Sequence, residues 1–98
     1  MKGRFMQEER KLRDLVSVGP AIAADFALLG ISSVAELAKQ EPEALYKELC
    51  RKTGVHQDPC VLDTFCAAVA QARDPKLPLE KCKWWYWSGL RKKSSRSY

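Results

Sequence analysis

Cys60 is the residue whose type and setting first suggest chemistry. It follows Asp58-Pro59 in the stretch "DPC", the second position of a helix that Asp58 would cap. A helix N-terminus carries partial positive charge and favours a thiolate, the nucleophilic form of cysteine. Asp58 opposes that effect with its own charge. Cys60 is therefore a candidate reactive or redox-sensing thiol; the reading that the residues favour over it is a partly buried cysteine that helps to start a helix, since reactivity needs an electropositive setting that the sequence does not show. His56 stands alone in the preceding loop, without a serine or carboxylate arrangement around it. No catalytic constellation is visible, and the chain is expected not to be an enzyme. The other cysteines are Cys50, Cys66 and Cys82, and no two of the four form a CxxC pair. That spacing does not suggest a metal site. Neither metal nor cofactor is expected, and Cys50 and Cys66 read as small buried apolar residues.

A second kind of chemistry lies in "LVSVGPAIA", Leu15 to Ala23. Gly19-Pro20 breaks one apolar stretch, and Pro20 can open the next helix because its missing N–H is not needed there. A tight corner of this kind presents backbone N–H groups with no side chain in the way. The helix behind it adds the positive end of its dipole. Together they can hold a phosphate oxygen without reading a base. The candidate contacts are Val18, Gly19, Pro20 and Ala21. The same corner could equally serve as a packing element.

The third feature is "KWWYW", Lys83 to Trp87. Aromatic rings interleaved with bases can stack on unpaired nucleobases. They can also cover a small core, and adjacent residues cannot all face one way. At least two of the three tryptophans are expected to pack.

The elements that would position these residues are helical. Leu12, Leu15 and Val16 give a helical stripe between Glu8 and Val16. Pro20 begins a helix with Ile22, Phe26 and Leu29 on one face, ended by Gly30. Ser33 and Glu36 form a capping box before Val34, Leu37 and Ala38. Pro42 opens a helix with Leu45, Tyr46 and Leu49 inward, ended by Gly54. Asp58-Pro59 begins the longest helix, to about Arg73, with Leu62, Phe65, Cys66 and Val69 as its apolar face. Few positions alternate as a strand would, so no sheet is expected. The expected fold is all-α, with about five helices and an aromatic C-terminal segment.

Charge is unevenly distributed. The 98 residues carry a net +5, with 46% hydrophobic and 30% charged residues. Between Pro20 and Asp74 stand five bases and eight acids, a net of −3. The positive charge sits at the ends, with Arg10, Lys11 and Arg13 in front and Arg91, Lys92 and Lys93 behind. Basic flanks around a mildly acidic centre suit a polyanion, here DNA bound weakly and without sequence preference. A protein partner is the alternative. No apolar run approaches a membrane span, so no membrane association is expected. The stretch "MKGRFMQEER" has acids where a signal peptide has its apolar region, and the expected location is the cytoplasm. One domain over residues 8–90 is expected, with flexible basic tails at 1–7 and 91–98.

"LVSVGPAIAADFALLGISSVAEL" resembles the helix-hairpin-helix family, whose usual form is L-P-G-V-G-P-K-T-A followed by apolar residues, a Gly-Ile/Val and a capped helix. Leu15, Val18, Gly19, Pro20, Ala23, Gly30, Ile31, Val34 and Leu37 match. Ser17 stands where that pattern has its first glycine, and Ala21 where it has Lys or Arg. "GISSVAELAKQEPEALYKELC", "DPCVLDTFCAAVAQA" and "KWWYW" extend the likeness to the bacterial pathogenicity-locus helix-hairpin-helix proteins. Some of these are labelled mitomycin resistance protein. The first half also resembles the C-terminal domain of competence regulators of the TfoX type. The resemblance implies a helix-hairpin-helix fold and DNA association, with no reaction attached. The order of helices further suggests a degenerate second hairpin at Thr53–Pro59. With the mitomycin label, Cys60 could instead centre a thiol-based drug-resistance or redox protein.

Overall fold

A computed structural model describes residues 10–95 of the chain. The expected N-terminal tail at 1–7 and the end of the C-terminal one, 96–98, lie outside the described residues. Five α-helices are present: α1 Pro20–Leu28, α2 Val34–Ala38, α3 Pro42–Thr53, α4 Pro59–Arg73 and α5 Trp84–Ser95. Two short 3-10 turns, Leu12–Asp14 and Leu79–Cys82, precede the first and last of them. There is no strand among the described residues.

Local sequence signals account for the boundaries. Pro20, Pro42 and Pro59 each occupy the first helical position. Ser33 Oγ accepts from the Glu36 N–H at 3.1 Å, and Asp58 Oδ1 accepts from the Cys60 N–H at 2.8 Å. The Glu36 carboxylate accepts from the N–H and hydroxyl of Ser32, one residue earlier than a capping box requires. These bonds favour its charged form and hold its pKa below the usual carboxylate value. Helix α1 ends in a Schellman motif. The Ile31 N–H reaches the Phe26 carbonyl and the Gly30 N–H reaches that of Ala27. Gly30 has φ +80°, a conformation that costs glycine little.

The expected first helix from Glu8 is absent over the described residues 10–16, where one 3-10 turn stands in its place. Two side chains and one backbone conformation explain this. Asp14 Oδ2 takes the Lys11 N–H at 2.8 Å. Gln71 takes the Val16 N–H, which a helix would use internally, and also binds the Val16 carbonyl. Ser17 adopts a left-handed φ of +73°. At the other end, the aromatic segment and residues 91–95 form α5, although the latter were expected to be tail. The helix count agrees with expectation because one helix is lost in front and one gained behind.

Helix α4 is the central element, packed against α2, α3 and α5. Its Phe65 and Phe26 of α1 are wholly buried, with ring centroids 5.3 Å apart. Around them lie Leu15, Val18, Ile31, Val34, Leu37, Leu45, Leu49, Ala68, Val69 and Ala72. Fully burying one such large side chain contributes about 1.5–3 kcal/mol. Neighbours on several sides bury α4 well beyond the single stripe read from sequence. Thr64, Ala67, Ala68, Gln71 and Ala72 are buried, whereas Leu62 and Cys66 are only half-buried. Cys50 is half-buried as well, and Cys82 is the buried cysteine.

Candidate functional site

The corner is built from Leu15 to Pro20, and two of its side chains, Leu15 and Val18, are buried in the core, while Val16 is half-buried. Gln71 fastens it from beneath. This buried amide, 5% exposed, accepts from the Val16 N–H at 2.9 Å and donates to the Val16 carbonyl at 2.8 Å. It also donates to the Cys82 carbonyl at 3.4 Å. The Ser17 hydroxyl donates to that same carbonyl and accepts from the Trp84 N–H, each at 3.2 Å. Ser17 thus caps the first residue of α5 from a distant part of the chain. The side chain that replaces glycine at the corner makes a tertiary contact, which offsets its left-handed backbone.

Beyond Ser17 the corner opens to solvent. The Val18 N–H is used within the turn, donating to the Leu15 carbonyl. Gly19 precedes α1 and supplies no side-chain cap; Gly19, Pro20 and Ala21 are exposed. The N–H groups of Gly19, Ala21 and Ile22 have no acceptor among the described residues. Gly19 has an ordinary φ of −94°, and a Cβ added there would meet nothing within 4 Å. Backbone geometry therefore does not require glycine. What glycine provides is an uncovered helix start.

A shallow groove of about 530 Å³ runs along this start. Arg10, Lys11, Leu12 and Arg13 form one wall, facing Pro20, Ala23 and Ala24 of α1 and Ser32-Ser33 beyond it. Three of the bases singled out in the sequence thus converge on one side of the corner. They differ in freedom. Arg10 is half-buried and donates to the Gln71 carbonyl at 3.0 Å and the Ala72 carbonyl at 3.4 Å, meeting the negative end of α4. Lys11 and Arg13 are exposed.

The C-terminal bases are placed differently. Arg91 makes a bidentate ion pair with Asp63, Nε to Oδ1 at 2.9 Å and Nη2 to Oδ2 at 3.0 Å. The Asp63 side chain is 2% exposed, so Arg91 compensates a buried charge. Its role is to fasten α5 to α4. Lys92 and Lys93 are exposed, Lys92 about 12 Å along the helix axis from Trp84.

On the other side of the corner, Val16 to Gly19 face Lys83, Trp84 and Trp85 across a second groove of about 470 Å³. Trp84 and Trp87 are half-buried, and the Trp87 Nε1–H donates to the Lys81 carbonyl at 2.7 Å. Two of the three tryptophans pack, as expected, while Trp85 is 57% exposed.

Cys60 lies away from both grooves, half-buried at the start of α4. A hydrogen bond with the Asp58 carboxylate, burial and the charges of Asp58 and Asp63 all raise its thiol pKa, against a smaller opposing effect of Arg91. That environment favours the neutral thiol over a nucleophilic thiolate. Burial pushes the Cys66 thiol up to about 11. Among the described residues, no group of three or more His, Cys, Asp or Glu side chains could hold a metal ion. No helix there is long and apolar enough to cross a membrane.

Sequence reasoning missed Gln71, the fastening role of Ser17 and the placement of Lys83. A single polar residue within "CAAVAQA" was the available signal for Gln71. Nothing in the spacing pointed to its partners, which lie 55 residues away.

The sequence profile of a protein family described as "Pathogenicity locus" (Cdd1) matches residues 6–93. The chain is also similar to the "Mitomycin resistance protein McrB" of Streptomyces lavendulae. The two are 38% identical over 82 residues, which span 84% of this chain and 74% of that protein. No solved structure gives a significant match.

Proposed function

The chain belongs to the pathogenicity-locus family, and on that premise we propose that it is a DNA-associated accessory protein that holds the phosphate backbone at the Leu15–Pro20 corner, whose sequence matches the helix-hairpin-helix pattern although a 3-10 turn replaces the helix before it. One observation carries this reading. The uncapped start of α1, with open N–H groups on Gly19, Ala21 and Ile22, borders a groove walled by Lys11 and Arg13. Backbone donors, a helix dipole and nearby cations are what a phosphate oxygen needs. None of them reads a base, so binding is sequence-independent. Val18 contributes by setting the turn. Arg10, Lys92 and Lys93 add long-range attraction, and Arg91 acts through the fold. The reading involves no reaction step, cofactor or metal. The relative's name makes drug resistance a proposed setting for this activity.

Fluorescence anisotropy with a labelled duplex, titrated across salt concentrations, tests the proposal. Binding is expected to be weak and to weaken steeply with salt. Lys11→Ala and Arg13→Ala should each flatten the slope of log K against log salt by about one unit. Gly19→Ala should leave the fold intact, since its Cβ has open space, and should reduce affinity. A flat anisotropy trace at low salt overturns the reading. Nuclease-insensitive protein capture would then favour use of the same surface as a protein contact.

A further inference from the structure

Trp85 is the largest exposed aromatic side chain among the described residues and lies beside the same corner. Its neighbours are held. Trp84 meets its ring edge-on at 5.8 Å, and the Lys83 ammonium lies 5.4 Å from its ring centroid. Tyr86 and Trp87 form their own edge-to-face pair at 5.4 Å. The indole at position 85 is therefore braced while more than half of it faces solvent. A large ring left in water forgoes the stabilisation that burial would give. A base adjacent to it adds the positive field that attracts a polyanion.

We propose that this second groove takes an unpaired nucleobase of single-stranded DNA, stacked on Trp85. The proposal rests on the nucleic-acid reading above and adds strand form to it. The corner separates two kinds of surface. Towards Lys11 and Arg13 it offers backbone donors and cations, which suit phosphate. Towards α5 it offers the exposed Trp85 ring, with the Lys83 ammonium over one side of it and Gly19 lining the groove. Stacking is tolerant of sequence because every base has a π-face. It requires a base that is not enclosed in a duplex, so the two surfaces together suit a site where duplex passes into single strand. Ser17 holds the first turn of α5 against the corner, which fixes the spacing between the two surfaces. A braced ring loses little freedom on binding, which favours affinity.

The test uses the full chain and three labelled probes of equal length: an oligothymidylate strand, the same strand with abasic sites, and a blunt duplex. Wild type should bind the base-bearing strand about tenfold or more tightly than the abasic one, the size of a single base–aromatic stack. Trp85→Ala should remove that preference and leave duplex affinity unchanged. Trp85→Phe should retain most of the preference while losing the tryptophan quenching that accompanies strand binding. Equal binding of the two strands by wild type, or an undiminished preference in Trp85→Ala, overturns the stacking proposal. Loss of duplex binding with the strand preference intact overturns the phosphate reading alone. An unchanged affinity in Trp85→Ala alongside capture of an apolar peptide assigns the groove to a protein partner and overturns the proposal.

Discussion

At the residue scale, Ser17 sets the character of the corner. Its φ of +73° costs a non-glycine residue about 1–2 kcal/mol. Its hydroxyl returns two hydrogen bonds, to Cys82 and from Trp84. Ser17→Gly should relieve the backbone and lose the bonds, changing the melting temperature little. Ser17→Ala keeps the strained backbone and loses the bonds, so it should destabilise by about 1–2 kcal/mol. In a domain of this size that is a drop of roughly 4–16 °C, measurable by thermal denaturation. Cys60 is a second residue-scale case. Its surroundings raise the thiol pKa, so its alkylation rate should climb only at or above the pH where an ordinary free thiol ionises. A rate that levels off near neutral pH would restore it as a reactive thiol.

At the element scale, the question is what joins helices that the sequence marks out separately. Caps and prolines define α1, α2, α3 and α4 within a few residues of each boundary. They say nothing about how the corner meets α4 and α5. That junction is Gln71, which joins Val16 to the Cys82 carbonyl through one amide. Gln71→Leu keeps the volume and strands buried backbone groups without partners. It should cost about 2–4 kcal/mol, since each unsatisfied group costs about 1–3. Chemical denaturation would measure this, and a loss below about 0.5 kcal/mol would mean that water replaces the amide. The same junction explains the missing first helix. Local periodicity at Leu12, Leu15 and Val16 favoured a helix, but Gln71 and Asp14 compete for its backbone groups.

At the scale of the whole molecule, charge has two uses. Lys11 and Arg13 remain on the surface beside the open helix start, while Arg91 is drawn inward to Asp63. Both groups are basic flanks in the sequence, and only the fold separates them. Arg91→Ala leaves a carboxylate buried without its partner and should destabilise by about 3–5 kcal/mol. Asp63→Leu combined with Arg91→Met should recover most of that loss, because neither charge then remains. If the single variant melted like wild type, the pair would have no part in holding α5. It also follows that ending the chain before Arg91 would not isolate the contribution of a tail. Such a truncation would remove the fastening of α5 and uncover Asp63.

The sequence by itself determined the helical class, the breaks at Gly19-Pro20, Gly30 and Gly54, and the caps at Ser33 and Asp58. These depend on interactions within about four residues, which spacing displays directly. It also located the corner and the basic flanks at Arg10, Lys11 and Arg13 and at Arg91, Lys92 and Lys93. The tertiary structure decided which of those groups are available. Val18 spends its N–H inside the turn, Ser17 reaches Trp84 across 67 residues, and Arg91 reaches Asp63 across 28. Partners at such separations are chosen by how α4 and α5 pack, and no local pattern encodes that choice. The partial burial of Trp84 and Trp87 and the exposure of Trp85 follow the same rule: adjacent aromatic residues on a helix face different ways, and packing selects which of them remains in water.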